Sequence, residues 1–96
     1  MTTPNYVTYT FETNIFGYNT VEELGHKFDD IFHDVVEAFE GGSAMVATAG
    51  TDSATFCVTS PLGSKEVETK LVTVLLEQTL EFDELVLVDF QPVTEG

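Results

Sequence analysis

Apolar residues recur along this chain with two different periods, and the switches between them mark its elements. Tyr6 to Glu12 alternates Val7, Tyr9 and Phe11 against Thr8, Thr10 and Glu12, the period of a half-buried strand. Asn14 to Asn19 reads as a loop turning at Gly17, with Ile15 and Phe16 tucked against the core. From Thr20 to Glu40 the period becomes helical. Val21, Leu24, Phe28, Ile31, Phe32, Val35, Val36 and Phe39 form one uninterrupted stripe. Thr20 and Glu23 stand at capping-box spacing, and Gly41-Gly42 supplies the stop. Gly25, inside the helix, costs up to about 1 kcal/mol relative to Ala.

Ser43 to Thr48 and Ala54 to Ser60 are short runs of small and β-branched residues, joined through Gly50 as a hairpin. Period-two alternation turns Phe56 and Val58 to the core and Thr55, Cys57 and Thr59 to the other face. Ser64 is placed to cap a second helix over residues 65–82. Its inner stripe is Val67, Leu71, Val74, Leu75, Gln78 and Phe82. The run LVTVLL leans toward strand by propensity, so this helix rests on its length and cap. Glu84 to Phe90 is a strand that Pro92 ends, and residues 1–5 are a polar lead-in.

Strand, helix, strand, strand, helix, strand is the split βαβ order. It predicts an α+β, ferredoxin-like domain over residues 1–96, with two helices on one face of a four-stranded antiparallel sheet. The second and fourth strands would then be outermost.

Charge changes this picture from a fold into a surface. The chain has 96 residues, with 17 acidic side chains against three lysines, no arginine and a net charge of −14. Solubility alone needs a net charge of only about 2–8 in a small domain. Such a field repels nucleic acid and anionic membrane and draws basic surfaces, with fast, salt-sensitive association. The eight Phe and three Tyr are ample for a core. The N-terminus has neither the basic region nor the apolar core of a secretory signal, and a lone Cys57 fits a reducing compartment. A cytoplasmic location is expected.

The negative charge concentrates on the polar face of the first helix, at Glu22, Glu23, Asp29, Asp30, Asp34, Glu37 and Glu40, with a single Lys27 among them. Residues three and four apart on a helix stand roughly 5–6 Å from one another at Cβ. Duplex DNA carries phosphates at comparable density, one charge per about 1.7 Å of axis. Local energetics work against this arrangement. Glu37 and Glu40 sit where the helix dipole disfavours negative charge by roughly 0.3–1 kcal/mol each, and Asp30 with Asp34 is an unfavourable like-charge pair. Glu77, Glu81, Asp83, Glu84 and Asp89 form a second acidic cluster near the last strand.

Other chemistry is thin. His26, Asp30 and His33 have metal-ligand residue types, but the two histidines lie about 10 Å apart along the axis, so no metal is expected. Cys57 has no His close in sequence and reads as a structural thiol. The chain has no phosphate-binding glycine loop, paired-cysteine zinc spacing or nucleophile elbow. No catalytic residue and no cofactor is assigned, and an enzyme is not expected. Three lysines cannot neutralise a nucleic-acid backbone, so direct nucleic-acid binding is not expected either.

In size, charge and the Glu22–Glu40 surface the chain resembles phage-encoded acidic DNA mimics, the inhibitors of restriction enzymes, CRISPR effector complexes and uracil-DNA glycosylase. The resemblance implies an inhibitor whose carboxylates stand in for phosphates in the basic groove of a host nucleic-acid-binding protein. It also implies action in the host cytoplasm. Two other readings compete with it. In one, the chain is an assembly protein that oligomerises through edge strands, notably Glu84 to Phe90, with acidity serving solubility. In the other, it is a housekeeping domain adapted to high salt.

Overall fold

The computed structural model of the chain describes residues 6–93; the polar lead-in at 1–5 lies outside them. In chain order the elements are β1 (Val7–Phe16), α1 (Val21–Ala38), β2 (Ser43–Ala49), β3 (Ser53–Ser60), α2 (Ser64–Glu77), β4 (Glu81–Phe82) and β5 (Val86–Pro92). Two helices and a five-stranded antiparallel sheet make a mixed α+β fold. β3 lies beside β1, β2 lies outside β3, and β4 and β5 both pair with β1.

The strand count differs from the four expected, for a reason visible in β1. That strand runs past Glu12 because its alternation continues. Tyr9, Phe11, Thr13 and Ile15 are all buried, while Phe16, expected against the core, falls on the other phase and is 51% exposed. The chain after α2 then meets β1 in two pieces. Ile15 and Phe16 pair with Phe82 and Glu81, and Val7 to Glu12 pair with β5 across a bulge between Thr10 and Phe11.

One core cluster unites the inward side chains of the sheet with both helices. Phe11, Ile15, Phe56 and Val58 come from the strands, Leu24, Phe28, Ile31 and Val35 from α1, and Val67, Leu71, Val74 and Leu75 from α2. The rings of Phe28 and Phe56 meet with centroids 6.0 Å apart. The outer face of the sheet is a polar ladder, where the Thr8 and Thr59 hydroxyls hydrogen-bond at 2.8 Å and Thr10 contacts the half-buried Cys57 at 3.7 Å. Both helices therefore cover one face.

The helix ends show how side-chain chemistry sets the chain's path. The Thr20 hydroxyl accepts the Glu23 amide at 3.2 Å and starts α1. The helix ends at Ala38, so Phe39 and Glu40 lie in the turn beyond it, and Gly41 takes a left-handed φ of +89°. Gly42 is required for a different reason. A Cβ there would stand 2.0 Å from the Thr59 carbonyl oxygen, inside the β3 backbone.

α2 begins one residue earlier than expected, with Gly63 rather than Ser64 at the N-cap and no side-chain capping bond. It also stops sooner. The Leu80 amide donates to the Leu75 carbonyl and the Thr79 amide to the Leu76 carbonyl, both at 3.0 Å, in a Schellman closure. That closure turns Leu80 back into the core and releases Phe82 from the helix into β4. Thr79 occupies the left-handed position at φ +54°, which a β-branched residue disfavours. Replacing Thr79 with Gly should stabilise the fold by about 1 kcal/mol. Gly42→Ala should destabilise it by about 2–3 kcal/mol. Urea unfolding of the two variants beside the parent checks both signs.

Candidate functional site

The outer face of α1 follows from which face is buried. Leu24, Phe28, Ile31 and Val35 point into the core. At 3.6 residues per turn this turns Glu22, His26, Asp29, Asp30, His33 and Glu37 outward, and all six are exposed. Glu23 is exposed in the first turn and Glu40 just beyond the helix end. The helix thus carries its carboxylates over roughly 27 Å of rigid rod. Among the described residues the row's one close contact to a basic side chain is His33 Nε2 to Glu37 Oε1 at 3.4 Å, and no lysine lies within ion-pair distance of its carboxylates.

Asp34 departs from the others. It is half-buried on the flank toward α2, where its Oδ2 accepts a hydrogen bond from Gln78 Nε2. This carboxylate ties the two helices together rather than facing outward with the rest.

The opposite flank of α1 differs from expectation. Val21, Phe32 and Val36, read from the sequence as core, are 61%, 43% and 43% exposed. Four apolar positions suffice to cover the sheet, and these three rotate onto a shoulder. The width of the apolar stripe, wider than one seam needs, was the signal for it. Between this flank and β2 lies a groove of about 420 Å³ lined by Gly25, Phe28, Asp29, Phe32 and Met45 to Thr48. Nothing in the linear order of these residues places the two walls of the groove together.

The second acidic cluster divides between solvent and structure. Asp83 sits at the break between β4 and β5. Its carboxylate accepts from Asn14 Nδ2 at 3.0 Å, from the Glu84 and Asn14 amides at 2.6 and 3.4 Å, and from the Thr13 hydroxyl at 3.3 Å. The Asn14 side chain, followed by the Glu84 amide, holds the Asp83 carboxyl below its ordinary pKa of 3.8. Asp83 therefore fastens the far end of β1 to the last part of the chain. Glu77, Glu81, Glu84 and Asp89 are exposed. A hollow of about 460 Å³ beside Asp83 is lined by Glu12, Asn14, Thr55, Glu84 and Val88, without a cysteine or histidine.

Among the described residues no three His, Cys, Asp or Glu side chains stand close enough to hold a metal ion. No helix among them is long and apolar enough to cross a membrane.

No protein-family model matches the chain, and no curated protein matches it. A solved structure described as "Structural Genomics, protein YJCS" is similar in fold, with a TM-score of 0.53 and 9% identity over 94% of this chain and 99% of that one. At that identity the likeness concerns the fold alone.

A depressed folded-state pKa gives a definite sign. The stabilisation from Asp83 is present above its unfolded value and is lost as pH falls through the folded one. The stability gap between the parent and Asp83→Asn should therefore be constant near neutrality and narrow as pH drops below 3.8. Urea midpoints of both proteins across the acid range measure it.

Proposed function

We propose that this chain is a non-enzymatic inhibitor whose α1 carboxylates occupy the basic nucleic-acid-binding groove of a host defence or DNA-processing protein, as anti-CRISPR or anti-restriction proteins do. The observation that carries the reading is the exposed row Glu22, Glu23, Asp29, Asp30, Glu37 and Glu40 on and just beyond a rigid helix, with no lysine paired to it. A folded protein has no need of this arrangement for itself. Lysine in place of Glu37 would suit the helix C-terminus better, and Asp30 stands four residues before Asp34, a like-charge pair that costs about 0.2–0.5 kcal/mol. The same row suits a site that binds phosphates, because it supplies negative charge at fixed spacing before contact.

The scaffold is read here as ferredoxin-like. β4 and β5 meet the same strand in nearly consecutive registers, so they act as one interrupted edge and leave the split βαβ order intact. That fold serves many functions and adds no weight to the inhibitor reading.

The test is capture from bacterial lysate on the immobilised chain, eluted by salt and by duplex DNA. A nucleic-acid-binding protein released by moderate salt and displaced by DNA is the expected result. Glu22→Lys, Asp30→Lys and Glu37→Lys together should then weaken its binding by about a hundredfold, at about 1 kcal/mol per reversed charge. The folded state should change little in stability, since Glu22→Lys costs at the helix N-terminus about what Glu37→Lys gains at the other end. Unchanged affinity in that triple variant would overturn the reading. Capture of further copies of the chain alone, at any salt, would shift it to assembly through β5. There Val86, Leu87, Val88 and Phe90 are between 38% and 60% exposed.

A further inference from the structure

From the groove between α1 and β2 we infer a strand-addition site: an extended, lysine- or arginine-bearing segment of the partner pairs with the outer edge of β2 and seats its apolar side chains against α1. This rests on the acidic-surface reading above and specifies how the partner is gripped. The argument begins with the edge. β2 pairs only with β3 among the described residues, in a ladder that runs from Ser43–Thr59 to Ala49–Ser53 without a bulge. Its sequence, SAMVATA, has no charge and no proline. Exposed edges are normally blunted by such devices, and β5 has all of them: a bulge opposite Thr10 and Phe11, Asp89 within the strand, and Pro92 at its end. β2 is left open to pairing.

The second observation is Gly25. It lies within α1 at an ordinary helical φ, and a Cβ built on it would meet nothing within 4 Å. Neither turn geometry nor close packing in this chain requires a glycine there, and a helix-interior glycine costs up to about 1 kcal/mol. It stands on the wall of the groove, with the buried Phe28 as floor and the exposed Phe32 and Met45 on the rims. A bare backbone at that point gives an incoming chain room to lie close to the helix. Strand addition of this kind draws affinity from main-chain hydrogen bonds and specificity from pockets for alternate side chains.

Charge selects the occupant. Asp29 lines the groove, and Glu22 stands on the same side of α1 two turns away, about 10 Å along the axis. A second copy would bring its own net charge of −14 against these carboxylates. A basic segment would neutralise them, its apolar residues turned toward Phe28 and Phe32 and its cationic ones toward Asp29 and Glu22.

The probe is a synthetic peptide of alternating Lys and Val, with a block peptide of the same composition as control. Both are titrated into the full chain and followed by backbone amide shifts and hydrogen exchange. The alternating peptide should bind at least about tenfold more tightly than the block peptide. Its shifts should centre on residues 43–49, Gly25 and Phe32, and β2 amides should gain protection. Gly25→Leu, which fills the groove, removes no carboxylate and favours the helix, should cut that affinity about tenfold or more. Equal binding of both peptides, unaffected by Gly25→Leu and mapped to the outer face of α1, would overturn the groove while leaving the acidic-surface reading intact. Shifts centred on β5, or self-association through β2, would overturn it as well. Loss of captured-partner binding in Gly25→Leu but not in the triple lysine variant would instead sink the acidic-surface reading and keep the groove.

Discussion

The seam between α1 and the two central strands bears the load that the rest of this molecule imposes. Leu24, Phe28, Ile31 and Val35 are buried there against an interior that includes Phe11, Phe56 and Val58. Each such side chain contributes about 1.5–3 kcal/mol on burial. Against this, the acidic residues cost the helix only the Asp30–Asp34 pair, about 0.2–0.5 kcal/mol, and roughly 0.3–1 kcal/mol for Glu37 near the C-terminus. The apolar term wins by a wide margin, so a helix can carry an unneutralised acidic face without melting. The same seam fixes the helix's rotation, which decides what each polar residue can reach.

That rotation divides the acidic residues into two kinds. Asp34 on α1 and Asp83 before β5 are occupied with structural hydrogen bonds, one joining the helices and the other pinning the far end of β1. Glu22, Asp29, Asp30 and Glu37 point away from the fold. A count of charges treats these groups alike, whereas the hydrogen-bond geometry separates those the chain uses from those it presents. Charge-reversal experiments directed at Asp34 or Asp83 would confuse a weakened fold with a weakened interface.

How far the sequence could be read follows the range of the interactions involved. The start of α1 was legible because its cap is local: Thr20 and Glu23 are three residues apart, and the Glu23 amide donates to the Thr20 hydroxyl. The inward phase of β3 was legible from alternation alone. The extent of β1 was not, because Thr13 and Asn14 are polar and their place in the sheet rests on pairing with Ala54 and Ser53 of β3, reinforced by Asp83 about seventy positions away in sequence. The end of α2 was illegible for a related reason. Thr79 in a left-handed conformation has no sequence signature, and it is held by the amide bonds to the Leu75 and Leu76 carbonyls together with the burial of Leu80. Within the candidate site, the outward carboxylates could be read from helical period. The shoulder of Val21, Phe32 and Val36 showed there only as an over-wide apolar stripe, since which of those residues the sheet covers depends on where β2 lies.

These features act over different distances. The field of the unneutralised carboxylates reaches about a Debye length, roughly 8 Å at physiological ionic strength, and cares only about the sign of what approaches. It cannot tell one basic protein from another. The groove beside it, lined by Gly25 and Phe28, would act only at contact, through the proposed backbone pairing and side-chain fit. A surface with the field alone would bind many cationic proteins weakly, and a bare edge alone would invite aggregation. Placing the open edge of β2 beside an acidic helix guards it against other copies of the chain and leaves it accessible to cationic segments. The same carboxylates that cost the helix stability therefore screen what the exposed edge is allowed to meet.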